Sequence, residues 1–319
     1  MTPGRTCPLY YRYAANTFSR QADLTAETVY VIGGLYGNRP ALTEILAMAA
    51  RETVAPRLIF NGDFHWFDVA PSTFAAINAE VHDPIALRGN VETELAPDAD
   101  DAGCGCAYPD YVDDADVERS NDIMRRLRVT SRQFPDDVAR LTALPMHLLI
   151  EVAGSRIGIV HGDAESLAGW RFAHDSLHEP INQQWVTDLC RQYNLAGFAS
   201  SHTCLPALRR FGNGAEERFV INNGAAGMPN FGGTQYGLIT RLSIHEAPES
   251  FAQYGRKFGP LYVDALPVHF DHGKMVEQFL TDWPLNSAAH TSYWKRIVEG
   301  PSYAPPHALG FARAPSVCA

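Results

Sequence analysis

Residues 28–32 read Thr-Val-Tyr-Val-Ile, apolar on both faces, and stop at Gly33-Gly34. A short apolar run bounded by glycine predicts a buried strand, here about 28–34. After it, Leu42, Ile45, Leu46 and Ala49 recur at helical spacing behind Pro40, which predicts a helix over about 40–52. The alternation continues along the chain. Strands are expected at 57–61, 84–88, 197–200, 218–222, 237–244 and 261–269. A hairpin is expected from 146–152 and 156–160 around Gly154-Ser155. Helices are expected at 71–80, 116–132, 136–143 and 274–283.

This rhythm predicts a layered α/β protein. Such proteins place their sites where strands end. The strand ends here carry Gly62-Asp63, Gly89-Asn90, His161-Gly162 and His202. A carboxylate oxygen, an amide oxygen and two imidazole nitrogens form a mixed set that suits Mn, Fe or Zn better than Ca or Mg. Taken singly, an Asn after Gly is ordinarily a turn residue, and a lone His is ordinarily a satisfied polar group. All four in order at strand ends are a different matter.

With these motifs the chain resembles the calcineurin-like metallophosphoesterases, whose pattern is D-x-H, G-D-x-x, G-N-H-[ED], H-G and G-H-x-H. The matching stretches are Gly34-Leu35-Tyr36, Gly62-Asp63-Phe64-His65, Gly89-Asn90-Val91-Glu92, His161-Gly162 and Ser201-His202-Thr203-Cys204. Gly37-Asn38 and Ile221-Asn222-Asn223-Gly224 also look like family features, and the resemblance spans roughly 28–230. It implies a four-layer αββα sandwich of two mixed sheets flanked by helices. It also implies two metals and phosphoester hydrolysis.

The departures are selective. Carried over by position, Asp63, Asn90, His161 and His202 keep one metal position complete. The other retains only the shared Asp63, because Gly34, Tyr36 and Cys204 stand where ligands are expected. The resemblance therefore implies one divalent transition metal, a metal-activated water and a small phosphorylated substrate, a phosphomonoester, phosphodiester or nucleotide. Val91 replaces the histidine that serves the leaving group, so the alternative is a weak or silent relative that binds metal, nucleotide or protein. His65, two residues past Asp63, is a candidate acid or base, although a packed histidine among Phe64, Trp66 and Phe67 is the plainer reading. Asn38 and Arg171 are further candidates at the site, with His174 near a substrate phosphate. Tyr36 is expected to fill vacated space. Cys104-Gly105-Cys106 is expected to be a pair of reduced loop thiols, or else a group reaching the vacated position with Cys204. A dinucleotide fold is disfavoured, since Gly33, Gly34 and Gly37 do not spell G-x-G-x-x-G.

Bulk properties narrow the class. The chain has 319 residues, 46% hydrophobic and 19% charged, enough for a large core. A net charge of −10 argues against a duplex nucleic-acid partner. No apolar run is long enough for a membrane helix, and the first residues lack a signal-peptide core. Six scattered cysteines make no disulfide framework. A cytoplasmic protein is expected. Its expected organisation is an arm at 1–26, a single domain at 27–300 with an acidic insert at 94–116, and an irregular tail at 301–319.

Overall fold

The computed structural model describes residues 2–82, 85–96, 102–248 and 251–312. In chain order the strands are β1 (Leu24–Ala26), β2 (Thr28–Ile32), β3 (Arg57–Asn61), β4 (Ile85–Leu87), β5 (His147–Val152) and β6 (Ser155–Val160). They continue as β7 (Gly197–Ser200), β8 (Ala207–Phe211), β9 (Arg218–Asn222), β10 (Gly237–Ser243), β11 (Tyr254–Phe258) and β12 (Leu261–Val268). The helices are α1 (Arg39–Arg51), α2 (Pro71–Val81), α3 (Asn90–Glu94), α4 (Asp114–Ser131) and α5 (Pro135–Ala143). After them come α6 (Pro180–Tyr193), α7 (His272–Asp282), α8 (Ala288–Glu299) and α9 (Pro305–Ala308).

Two six-stranded mixed sheets form, ordered β1-β5-β6-β7-β9-β8 and β11-β12-β10-β2-β3-β4. Their packing follows from the period of two along each strand. On β2, Val29 and Val31 face the other sheet and join Ile157, Ile159, Ala199 and Ile221 in a shared core. Tyr30 and Ile32 face the opposite way, into a core with Leu42 and Ile45 of α1 and Leu127 of α4. On the other sheet, Phe198 and Val220 turn outward to meet Val186 and Leu189 of α6. A strand buried on both faces needs two apolar faces, which is why the central strands read as unbroken apolar runs. The result is an αββα sandwich, as the sequence predicts.

Local chemistry sets the helix ends. Asn38 caps α1 by accepting the Ala41 N–H at 2.9 Å, and Pro40 occupies the first turn where its missing N–H costs nothing. Asn194 ends α6 in a left-handed conformation, φ +51°.

The arm packs on the body. Its last residues, β1, pair in parallel with β5, and Tyr11 and Phe18 are fully buried. The tail contains α9, and Tyr303 before it stacks on Phe231. Cys318 and residues 97–101 of the acidic insert lie outside the described residues. Among the described residues no helix is long and apolar enough to cross a membrane.

Candidate metal centre

Strands of both sheets end on one edge of the sandwich. β3 ends at Asn61, and Gly62, at φ +76°, reverses the chain before Asp63. Asp63 itself is left-handed at φ +54°, as are Tyr36 at +55° and Cys204 at +60°. Each such residue costs roughly 1–2 kcal/mol relative to a right-handed one. Strain of this kind collects where a site over-determines the backbone, and all three residues line one pocket.

A buried carboxylate holds the turn. Glu92 accepts the N–H of Asp63 at 2.8 Å, of Gly89 at 2.8 Å and of Phe64 at 3.1 Å. It thereby ties the ends of β3 and β4 together. Gly89 is glycine for space: a Cβ there would lie 2.3 Å from Asp63 Oδ1.

The four candidate ligands meet at one point. His161 Nε2 lies 3.3 Å from Asp63 Oδ2, 3.2 Å from Asn90 Oδ1 and 3.1 Å from His202 Nδ1. Asp63, His161 and His202 place their ligand atoms within 4.8 Å of one another, all buried. Their outer partners assign the tautomers. His161 Nδ1 faces the Asn61 carbonyl at 2.8 Å, and a carbonyl only accepts, so Nδ1 carries the hydrogen. His202 Nε2 faces the Cys106 carbonyl at 3.0 Å and carries its hydrogen by the same reasoning. The Asn90 amide nitrogen donates to the Cys104 carbonyl at 2.9 Å, which turns Oδ1 inward. Four lone pairs therefore converge with no donor between them. Only a cation or an added proton makes that arrangement favourable, and imidazoles donating outward to carbonyls are the usual support of metal-bound histidines.

The electrostatics agree. Burial pushes His202 down to about 3, with His161 adding to the effect, so it is a neutral donor at neutral pH. Burial opposes ionisation of Asp63, but the His161 imidazole outweighs it and holds the carboxyl below its usual range. Burial likewise lowers His161, and the Asp63 carboxylate more than reverses this. A proton on His161 is thus the alternative occupant of the point where the lone pairs meet.

No protein-family model matches the sequence, and no curated protein matches it. Solved structures do. A metallophosphoesterase from Sphaerobacter thermophilus superposes with a TM-score of 0.52 at 15% identity, covering 86% of this chain and 100% of its own. A hypothetical protein from Pyrococcus horikoshii OT3 gives 0.55 at 14%, covering 86% of this chain and 99% of its own. The chain has the fold of the calcineurin-like metallophosphoesterases.

The space beside Gly34 is filled. A Cβ on Gly34, at φ +65°, would lie 3.0 Å from the Tyr36 ring, so the ring occupies the space into which a residue-34 side chain would project. Its hydroxyl meets Cys204 Sγ at 3.1 Å. Arg296 on α8 fixes the Cys204 carbonyl at 2.7 Å.

Four other candidates are not brought to the site. His65 is fully buried and points away. Its ring nitrogens contact Asp68 at 2.6 Å and Asn78 at 3.1 Å, and the ring stacks on Phe74. Asn38 spends its side chain on the α1 cap and on the Gly227 carbonyl at 2.8 Å. Arg171 lies over the Trp185 ring at 3.5 Å and bonds Asn182 at 2.8 Å. His174 is buried against Tyr303.

The insert gives the remaining correction. Cys104 and Cys106 are joined as a disulfide rather than held as free thiols. Cys106 does reach the pocket, which it lines with Tyr36, Trp66, Tyr108, Trp170, Tyr293 and Cys204. Sequence reasoning missed Glu92 as the clamp of Asp63, and missed the cysteine carbonyls as partners of Asn90 and His202. A Glu after G-N is part of the family motif and was a usable signal. A backbone carbonyl leaves no signal in residue type.

Proposed function

We propose that this chain is a metal-dependent phosphoester hydrolase working from a single divalent cation, Mn, Fe or Zn, held by Asp63, Asn90, His161 and His202. One observation carries the reading: four lone pairs aimed at one point, each fixed from behind by a backbone partner or a buried clamp. Such a cation supplies Lewis-acid activation of a water and of a phosphoryl oxygen. The protein residues supply the rest. Glu92 and Gly89 hold the Asp63 carboxylate in place. His161 and His202 would hold the cation through His161 Nε2 and His202 Nδ1, their other nitrogens donating to carbonyls. Burial keeps the Tyr36 hydroxyl and the Cys204 thiol protonated, so the wall opposite the tetrad offers donors and no negative charge. Aromatic rings line the rest of the pocket and thin the water around the reacting centre. The substrate is a small phosphorylated molecule, and an acidic protein of this charge is not suited to duplex nucleic acid.

A second reading is favoured by one observation. Val91 stands where an acid would serve the leaving group, and His65, the nearest replacement, is turned away. A relative that binds metal and a phosphorylated ligand without turnover has no need of that acid. Steady-state assays with an aryl phosphate and a bis-aryl phosphodiester, each with Mn(II), Fe(II) or Zn(II), separate the two. Hydrolysis is expected only with metal, and a loss of about 100-fold or more is expected in Asp63→Ala and in His161→Ala, as for removal of a metal ligand. Bound metal without turnover on either substrate would favour the silent relative.

A further inference from the structure

The disulfide in the insert is joined to the candidate metal centre by two hydrogen bonds. Cys104 gives its carbonyl to the Asn90 amide at 2.9 Å, and Cys106 gives its carbonyl to His202 Nε2 at 3.0 Å. The Cys106 carbonyl also receives the Trp170 indole N–H at 3.0 Å. The segment is wound tightly, with Gly103, Gly105 and Ala107 all left-handed at φ +66°, +67° and +50°. Packing holds it from outside: a Cβ on Gly105 would lie 2.0 Å from the Tyr11 hydroxyl. The Cys104 N–H donates to Asn121 of α4 at 2.9 Å. Cys106 faces the pocket, so a small reagent has a way in.

We infer that Cys104 and Cys106 are positioning residues for Asn90 and His202, and that the affinity of the centre for a divalent cation is set by the redox state of their disulfide. The inference rests on the metal reading above. The bond between the two sulfurs fixes the separation of two residues whose carbonyls orient two of the four ligands. Reduction by a dithiol breaks the Cys104 Sγ–Cys106 Sγ bond. Each sulfur takes up one hydrogen, and the dithiol closes to its own disulfide, so two electrons and two protons pass to the protein. The freed loop then no longer holds both carbonyls at once. Loss of such outer partners ordinarily weakens metal binding 10–100-fold. Outside oxidising compartments, persisting disulfides are typically catalytic or redox-sensing.

The test is Mn(II) affinity of the full chain, followed by the resonance signal of free Mn(II), in the oxidised, dithiol-reduced and reoxidised states. Thiol counts on unfolded samples verify each state, and circular dichroism verifies that the fold is kept. Oxidised protein is expected to bind about one Mn(II), reduced protein to bind it at least about 10-fold more weakly, and reoxidation to restore the first value. The double variant Cys104→Ser, Cys106→Ser is expected to show the weaker affinity and no response to dithiol. The reversible cycle on the unmodified chain stands alone should that variant fold poorly. Equal affinity in both states, or tighter binding after reduction through the freed thiols, overturns the inference while leaving the metal reading intact. Absence of Mn(II) binding in every state overturns both.

Discussion

Space around Asp63 is allotted to fractions of an ångström. Gly89 has φ −95°, a value open to any residue, so its identity comes from the 2.3 Å approach a Cβ would make to Asp63 Oδ1 and the 2.8 Å approach to His161 Cε1. Gly89→Ala should therefore act on the ligands and on the Asp63 backbone nitrogen, which the Cβ would approach to 2.9 Å. A fall in metal affinity of about 10-fold or more is expected, with a loss of about 1–3 kcal/mol in stability from overpacking although no strained dihedral is introduced. Equilibrium dialysis of the variant against wild type checks it, and unchanged affinity would show that Asp63 yields freely. Glu92 tests the opposite balance. Its carboxylate accepts three backbone N–H groups, and Glu92→Gln puts an amide donor against them. Hydrogen bonds to a charged group contribute about 1.5–3 kcal/mol each, and part of that sum is lost. A drop in stability of about 2–3 kcal/mol by chemical denaturation is expected; a variant as stable as wild type would mean water serves the turn equally well. The tetrad was legible in the sequence because each member follows a glycine-bounded apolar strand. His65, Asn38 and Arg171 misled because closeness in sequence does not give side-chain direction.

Elements followed the same logic. The central strands β2, β3, β7 and β9 are apolar on both faces and were legible to within about two residues. Three of the four edge strands, β1, β8 and β11, were not, while β4 lies within the strand expected at 84–88. β11 reads Tyr-Gly-Arg-Lys-Phe with its three middle residues exposed, and β8 carries Arg209 and Arg210. β11 buries too little to impose a pattern and carries the charges that edges ordinarily do, whereas β8 is buried except at Arg210 and its apolar run is broken by the buried Arg209. The helices α6 and α8 were missed because each shows the core a narrow stripe, Val186, Leu189 and Cys190 in α6 and Ala289, Tyr293 and Ile297 in α8. The contact of the arm with the insert is specific. Tyr11 donates to Glu94 Oε1 at 2.6 Å, and Arg128 closes the far side at 3.3 Å. Tyr11→Phe keeps the ring and removes that donor from a buried carboxylate. A loss of about 1–3 kcal/mol is expected, together with faster amide exchange at Gly4 and Tyr108, whose N–H groups bond across the arm and insert. Exchange unchanged at both amides would show that ring packing alone seats the arm.

At the scale of the whole molecule, stability should carry a pH dependence that has nothing to do with the metal centre. On the second sheet, Arg241 of β10 is buried between Glu52 at 2.7 Å and Asp264 of β12 at 3.4 Å. Two carboxylates thus share one guanidinium. Glu52 takes the closer contact and, though burial opposes it, the Arg241 hydrogen bond holds it below its usual range. Asp264 is left the weaker share. Burial pushes it up to about 6, Glu246 and Glu52 add to the rise, and Arg241 only partly offsets them. The folded form therefore binds this proton more tightly than the unfolded chain, whose aspartate titrates near 3.8. The stabilisation is complete below about pH 4 and is lost as pH rises through about 6. Asp264→Asn removes the titration. Denaturation curves from pH 4 to pH 8, with chelator present so that metal linkage makes no contribution, should show wild type losing about 1–2 kcal/mol more than the variant, a difference in which other groups such as Asp282, also raised to about 6, cancel. Parallel curves for the two proteins would mean that Arg241 neutralises both carboxylates and that Asp264 is ionised throughout. A variant less stable than wild type above pH 6 would show that the Arg241 contact outweighs the burial of the charge, since a buried ion pair broken on one side leaves the other side unanswered.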